Sequence, residues 1–171
     1  NGLALESLRL LFKYLPAAYT EGAKNPKARE KVHYAATLAG MAFANAFLGV
    51  CHSMAHKIGA QHHTAHGLAN ALLINEVIRY NATEAPRKQA TFPQYKYPVA
   101  LERYAKVADH LGFGGRTNEE KMEKLIAKIE EVKRICEIPA DFRATGIPEK
   151  EFLQTLDDMS EKAFDDQCTT A

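Results

Sequence analysis

The sequence predicts an all-α domain, a bundle of about six helices. Apolar residues recur mostly at three- and four-residue spacing, which is the period of an α-helix, and no alternating strand pattern is present. The length of 171 residues fits one ordinary globular domain, and tryptophan is absent while glycine numbers only ten. We therefore expect helix packed on helix, with no parallel sheet to hold a dinucleotide.

The first two predicted helices differ in their apolar patterns. The first carries a leucine-rich stripe and is expected to stop at Pro16, because proline breaks a helix interior. The second opens at Asn25 and Pro26, an N-cap followed by a first-turn proline, and extends to about His56. Residues 35–50 are apolar nearly all round and rich in alanine, so they predict a buried central helix.

The next segment is predicted to turn sharply and then form a long loop. Gly59 is expected to end the second helix, and Thr64 to cap a third that reaches about Tyr80. Three prolines and three aromatic residues in the stretch that follows predict a loop over residues 81–98. Loops of this length are uncommon unless they bind or pack against something.

Three amphipathic helices are predicted in the C-terminal part. The first spans about residues 101–112 and ends at Gly112. Asn118 is expected to cap the second, and a short turn over residues 141–143 follows it. Pro148 is predicted to start the last helix.

Charge and cysteine content exclude several classes of protein. The 22 Lys and Arg residues against 21 Asp and Glu leave a net charge of +1, which argues against nucleic-acid or membrane-surface partners. No run approaches the roughly 20 apolar residues of a membrane span. Three scattered cysteines predict a reducing, cytoplasmic setting, and neither a signal pattern nor an initial Met is present. We expect the natural start to lie elsewhere.

Histidines are concentrated in one short stretch. Five of the seven histidines fall within fifteen residues: His52, His56, His62, His63 and His66. Two at a spacing of four share a helix face, but on one straight helix His52 and His66 would stand about 21 Å apart. They can bind one metal ion only if the chain turns between them, and the predicted helix end at Gly59 supplies that turn.

Two interpretations of this cluster stay open from the residues alone. A single histidine on an apolar helix is commonly structural. Five histidines around a helical corner are explained as readily by a metal site as by a structural role. Imidazole suits zinc, ferrous iron, nickel or copper. Cys51 should point about 100° away from His52 on a helix, and the nearest carboxylate in sequence is Glu76. His62 and His63, in the connecting turn, are expected to be exposed.

The stretch GVCHSMAHKIGAQHHTAHGLANALL resembles the signature of the iron-containing (group III) alcohol dehydrogenases. The flanking segments AYTEGAKNPKAREKVHYAATLAGMAFANAFLG, INEVIRYNATEAPRKQATFPQY and AFDDQCTTA are similar to the alcohol dehydrogenase half of bifunctional aldehyde-alcohol dehydrogenases. The resemblance covers essentially the whole chain. It implies the C-terminal helical domain of this architecture, which is dehydroquinate synthase-like.

The resemblance also implies roles for five residues. His52 and His66 match the last two metal ligands of the family, and the metal is Fe(2+) with zinc as the alternative. His56 matches a non-ligating histidine near the nicotinamide and the substrate, a candidate for proton relay. Leu48 and Phe43 match positions that line the substrate pocket, although Phe43 would lie on the opposite face of an ideal helix from His52, and core packing is an equally open interpretation for both.

The departures from the family pattern limit what this chain can hold. No Asp-x-x-x-His pair, which supplies the first two ligands in the family, is present, and no glycine-rich nucleotide site is found. Residues 1–171 are therefore expected to form a partial metal-binding helical domain, with the N-terminal nucleotide-binding domain that supplies NAD absent from this chain. The chain alone is expected to be inactive.

The expected function is that of the intact enzyme. The resemblance implies NAD-dependent interconversion of a short-chain aldehyde, such as acetaldehyde, and its primary alcohol. Expected partners are this substrate, the remaining domains of the enzyme, and further copies in a homo-oligomer or filament, with residues 81–98 as an intersubunit contact. Two alternatives stay open: a zinc-dependent enzyme of the glycerol dehydrogenase or dehydroquinate synthase type, and a helical interaction domain with structural histidines.

Overall fold

The computed structural model describes residues 2–83 and 99–170, and these ranges contain helices and no strand, as predicted. The helices are α1 (Gly2–Glu21), α2 (Pro26–Ala46), α3 (Val50–His62), α4 (His66–Asn81), α5 (Ala100–His110), α6 (Asn118–Ile135) and α7 (Glu149–Phe164). Short 3-10 helices occur at Gly22–Lys24, Phe142–Thr145 and Gln167–Thr170. The chain divides into two compact units, described separately below.

The long second helix of the prediction is in fact two helices. α2 ends at Ala46 and α3 begins at Val50, because Phe47 adopts a left-handed backbone with φ of 60° and Gly49 is an extended N-cap. A residue in this region ends the helical hydrogen-bond ladder. Bulky side chains rarely adopt it, so no residue preference in the sequence marked Phe47 as a helix end.

The first predicted helix end was also wrong. Pro16 lies inside α1, which continues to Glu21 and ends just before Gly22, whose φ of 55° suits a C-terminal glycine. Proline removes one N–H donor from the ladder. The helix continues because packing along an apolar face, here against α2, contributes most of the stability of a helix in a protein.

The C-terminal helix ends follow the predictions closely. Gly112, with φ of 73°, follows α5, and Pro148 is the N-cap of α7. The cap of α6 is Thr117 rather than Asn118, since the Thr117 hydroxyl accepts a hydrogen bond from the N–H of Glu120 at 3.2 Å. This is the side-chain half of a capping box, shifted by one residue from the predicted position.

The first unit comprises Asn1–Ala46 and Leu101–Glu137 and is built on the pairing of α1 with α2. Ala28 and Ala35, seven residues apart on one face of α2, are buried. Their small side chains allow close approach, and the buried Ser7 hydroxyl of α1 donates to the Ala35 carbonyl at 2.8 Å. Phe12 of α1 packs edge-on against Phe113, with ring centres 5.1 Å apart.

The prediction that residues 35–50 form a buried helix was wrong. Met41 is 51% exposed, Phe43 47% and Phe47 65%, although Ala35 is fully buried. A helix that is apolar all round needs partners on every face. The described residues of the first unit cover one face of α2. No single helix in residues 2–83 and 99–170 is long and apolar enough to cross a membrane; α2 and α3 reach that threshold only taken together across their break.

The second unit comprises Phe47–Ala100 and Ile138–Ala171, and α3 packs against both α4 and α7. Four buried side chains from these three helices form its core, and three partly buried residues pack around them. The core residues are Ala55, Ile58, Ala69 and Met159, and the surrounding ones are Leu73, Phe142 and Phe152. α3, which carries three of the clustered histidines, is therefore held from two sides.

Met159→Ala should lower the free energy of unfolding by about 2–5 kcal/mol, because it leaves a cavity where a buried side chain meets α3 and α4. Leu153→Ala on the same helix is the matched control, since Leu153 is 58% exposed. It should cost less than about 0.5 kcal/mol. Urea unfolding followed by circular dichroism measures both; equal losses would show that α7 is not packed as described.

Candidate metal centre

Three histidines of the second unit lie together where α3 and α4 approach each other. His52 and His56 occupy one face of α3, and His66 is the first residue of α4. The ring centres of His52 and His66 are 5.3 Å apart, those of His56 and His66 are 5.2 Å apart, and those of His52 and His56 are 6.4 Å apart. The chain therefore does turn and bring His52 to His66; their role as ligands stays a prediction.

The turn is made differently from the prediction. Gly59 does not end α3, which runs to His62, and the left-handed residue that follows is His63, with φ of 54°. Thr64 does not cap α4 either, because the N-cap is Ala65 and no side chain bonds there. Gly59 matters for another reason: a Cβ at this position would lie 3.3 Å from the Thr64 carbonyl oxygen. The missing side chain lets the turn fold back onto α3.

The electrostatic environment favours neutral histidine at His52. Burial lowers the pKa of His52 below its ordinary value, and the neighbouring His66 and His56 rings lower it further. A metal ion binds imidazole only in its neutral form. His52 is thus in the protonation state that a ligand requires at neutral pH.

His66 is held by the side chain one turn further along α4. The Asn70 amide nitrogen lies 3.1 Å from Nε2 of His66 and donates to the His66 carbonyl at 3.0 Å. The Asn70 Oδ1 atom is buried and has no hydrogen-bond partner among the described residues. An unsatisfied polar atom beside a histidine marks a place where a further polar group would be accepted.

The two residues considered earlier as extra ligands each contact a residue of α4. The Cys51 thiol lies 3.7 Å from the Asn70 carbonyl oxygen, and burial raises the pKa of this thiol to about 11. Glu76 is exposed and pairs with Arg79 at 2.8 Å. The prediction that neither side chain takes part in a metal site stays a prediction.

A carboxylate that sequence reasoning missed comes from the other end of the unit. Asp166 Oδ2 lies 2.8 Å from the Lys57 ammonium and 3.7 Å from His56 Nδ1. Its Oδ1 accepts the N–H of Cys168 at 3.0 Å and the Ser53 hydroxyl at 3.4 Å. The hydrogen bond from Lys57 holds the pKa of this carboxyl well below its ordinary value, and the hydrogen bond from the Cys168 N–H adds to this effect. Over 100 residues separate Asp166 from these partners on α3, so no local spacing signalled the contact.

The ligand-type atoms of His56, Asp166 and Cys168 lie within 4.8 Å of one another, the separation expected around a metal ion. The Lys57 ammonium already neutralises the carboxylate, however, and burial raises the pKa of the Cys168 thiol. A cation would have to displace Lys57. We interpret this group as an ion-pair network beside the histidines, not as a second metal site.

The two predicted substrate-pocket residues lie outside this group. Leu48 is half-buried in the link between α2 and α3, so it does not belong to the helix that carries His52. Phe43 belongs to α2 in the first unit, and the break before α3 removes the argument that it faces away from His52 on one helix. Their substrate roles stay predictions.

His62 was expected to be exposed, and this was wrong. Its side chain is 1% exposed, stacks on Phe152 with ring centres 5.4 Å apart, and places Nε2 3.0 Å from the Thr155 hydroxyl. The burial arises because α7 packs against α3. His63 is exposed, as predicted.

Comparison with known proteins gives consistent matches. A sequence model described as the Fe-containing alcohol dehydrogenase family, C-terminal, matches residues 1–171. The chain is 59% identical over 173 residues to the bifunctional aldehyde-alcohol dehydrogenase of Escherichia coli (strain K12), covering 100% of this chain and 19% of that protein. It is 56% identical over 171 residues to the aldehyde-alcohol dehydrogenase of Clostridium acetobutylicum, covering 100% and 20%.

The structural comparison agrees with the sequence comparison. The crystal structure of a 1,3-propanediol oxidoreductase matches with a TM-score of 0.81 and 33% sequence identity, covering 100% of this chain and 40% of that one. The chain spans about a fifth of the length of the curated aldehyde-alcohol dehydrogenases it matches.

His62→Ala should lower the free energy of unfolding by about 1–3 kcal/mol, because it removes a buried ring contact and leaves Thr155 with one partner fewer. His63→Asn is the matched control, since asparagine tolerates the left-handed backbone found there. It should leave stability within about 0.5 kcal/mol of the parent. Thermal unfolding compares the two; a larger loss at His63 would contradict the placement of the turn.

Proposed function

Because the chain belongs to the Fe-containing alcohol dehydrogenase family, as its C-terminal domain, we propose that it is the metal-binding helical domain of an NAD-dependent alcohol dehydrogenase. The reaction we propose interconverts a short-chain aldehyde, such as acetaldehyde, and its primary alcohol, ethanol. The observation that carries this proposal is the group of three imidazoles that α3 and α4 bring together.

His52 and His66 are proposed to hold a divalent ion, Fe(2+) with zinc as the alternative. The donor set fits such an ion: both groups are imidazoles, their rings are 5.3 Å apart, and burial favours the neutral form of His52. When bound, the ion would supply a Lewis acid for the substrate oxygen, and NAD from another domain would supply the hydride acceptor. These two histidines provide half of a four-ligand shell.

His56 is proposed to take up the proton that the alcohol loses on oxidation. It lies beside His66 and is not needed as a ligand. Its side chain is 38% exposed, so a proton taken up there has a route to solvent. An imidazole suits this exchange because its ordinary pKa lies near neutrality. We also propose that His56 lies near the substrate and the nicotinamide, and that it returns the proton in the reverse reaction.

The remaining parts of the proposal concern the whole enzyme. We propose that Leu48 and Phe43 contribute to the substrate pocket, that further domains of a bifunctional enzyme supply the missing ligands and NAD, and that copies assemble as a homo-oligomer or filament in the cytoplasm. The loop predicted at residues 81–98 is proposed as an intersubunit contact; residues 84–98 of it lie outside the described residues.

His66→Ala in the intact enzyme should lose bound metal and alcohol oxidation together, because the substitution removes one of the two proposed histidine ligands. Metal content by mass spectrometry and NAD-linked turnover measure the two effects. His63→Asn, three residues earlier and exposed, should keep both. Full metal occupancy in His66→Ala would overturn the ligand assignment.

The purified 171-residue chain should show negligible NAD-linked ethanol oxidation and weak metal binding. It contains neither an Asp-x-x-x-His pair nor a glycine-rich nucleotide loop. Titration with Zn²⁺ or Co²⁺ and a spectrophotometric assay of NADH formation test this. Turnover approaching that of the intact enzyme would show that this domain needs no further ligands.

A further inference from the structure

We infer that Asp166 is a positioning residue for His56: it fixes the imidazole so that Nδ1 faces the carboxylate and Nε2 is left to exchange the proton. This inference rests on the proposed function of His56. It is carried by the position of the carboxylate, which lies beside Nδ1 at 3.7 Å and is itself held from several sides.

The Asp166 carboxylate is held in place by groups other than His56. Oδ1 accepts the Cys168 N–H at 3.0 Å and the Ser53 hydroxyl at 3.4 Å, and Oδ2 accepts from Lys57 at 2.8 Å. The side chain is 11% exposed, so little water reaches it. A carboxylate held by three donors has little freedom to turn away from the ring beside it.

The spacing on α3 explains why these groups converge. Ser53, His56 and Lys57 are separated by three and four residues, so they share one face of the helix. Asp166 follows α7, which packs against α3, and this packing delivers the carboxylate to that face. Ser53 and Lys57 thus hold the carboxylate by hydrogen bonds, and His56 lies beside it on the same face of α3.

The effect on His56 follows from the chemistry of imidazole. In a neutral ring one nitrogen carries the proton and the other keeps a lone pair, and the hydrogen-bond partner of the first decides which. At 3.7 Å the negative carboxylate of Asp166 favours the proton on Nδ1 through its charge, which leaves the lone pair on Nε2. One face of the ring is limited by His66, which stacks on it with ring centres 5.2 Å apart and an interplanar angle of 20°. Without the carboxylate, the ring can flip and present the wrong nitrogen.

The test is a double-mutant cycle in the intact, metal-loaded enzyme, using Asp166→Asn, His56→Gln and the double variant. Asp166→Asn should lower kcat for ethanol oxidation about tenfold, with KM and metal content within twofold of the parent. In the His56→Gln background, Asp166→Asn should change kcat by less than twofold, because the residue acts through His56. Asp158→Asn, which breaks the exposed pair with Lys162, is the control and should leave kcat unchanged.

Each outcome decides the inference. An unchanged kcat in Asp166→Asn, equal effects in the two backgrounds, or loss of metal would overturn it while leaving the proposed function intact. An unchanged kcat in His56→Gln would instead overturn the proposed role of His56. If Asp166→Asn is insoluble, Asp166→Glu gives the same cycle with the carboxylate displaced by one methylene, and an effect that disappears in the His56→Gln background supports the inference.

Discussion

The reversal of the chain between α3 and α4 is the constraint on which the site depends. On a straight helix His52 and His66 would be about 21 Å apart, and the turn reduces the distance between their ring centres to 5.3 Å. The turn requires a left-handed residue at His63 and the close approach of the Thr64 carbonyl to Gly59. A short stretch of backbone geometry therefore decides whether the imidazoles form a group or remain separate.

Packing of α7 against α3 supports that group from the other side. Met159 joins α7 to the buried residues of α3 and α4, and His62 is buried against the same helix. Because α7 ends just before Asp166, the packing also carries a carboxylate to the face of α3 that holds His56 and Lys57. Apolar burial and the ion-pair network are thus two consequences of one helix contact.

Large apolar side chains are exposed in the C-terminal half of α2. Met41 and Phe43 are half-exposed. A surface that is apolar on all sides is costly in water and is typical of a helix with partners. The pattern of α2 is thus that of a buried helix, although the described residues cover only part of it.

The sequence by itself determined the all-α fold, most helix positions, and the spacing of the clustered histidines along the chain. Helical periodicity and capping are local properties, so a sequence reveals them directly. It located the need for a turn between His52 and His66 but placed the helix end at Gly59, whereas the left-handed residue is His63. It also missed the break at Phe47, because bulky residues rarely adopt a left-handed backbone. Only the tertiary structure decided that His62 is buried and that Asp166 faces His56. These contacts join residues about 90 to 110 positions apart, and they arise from helix packing, which no local spacing encodes.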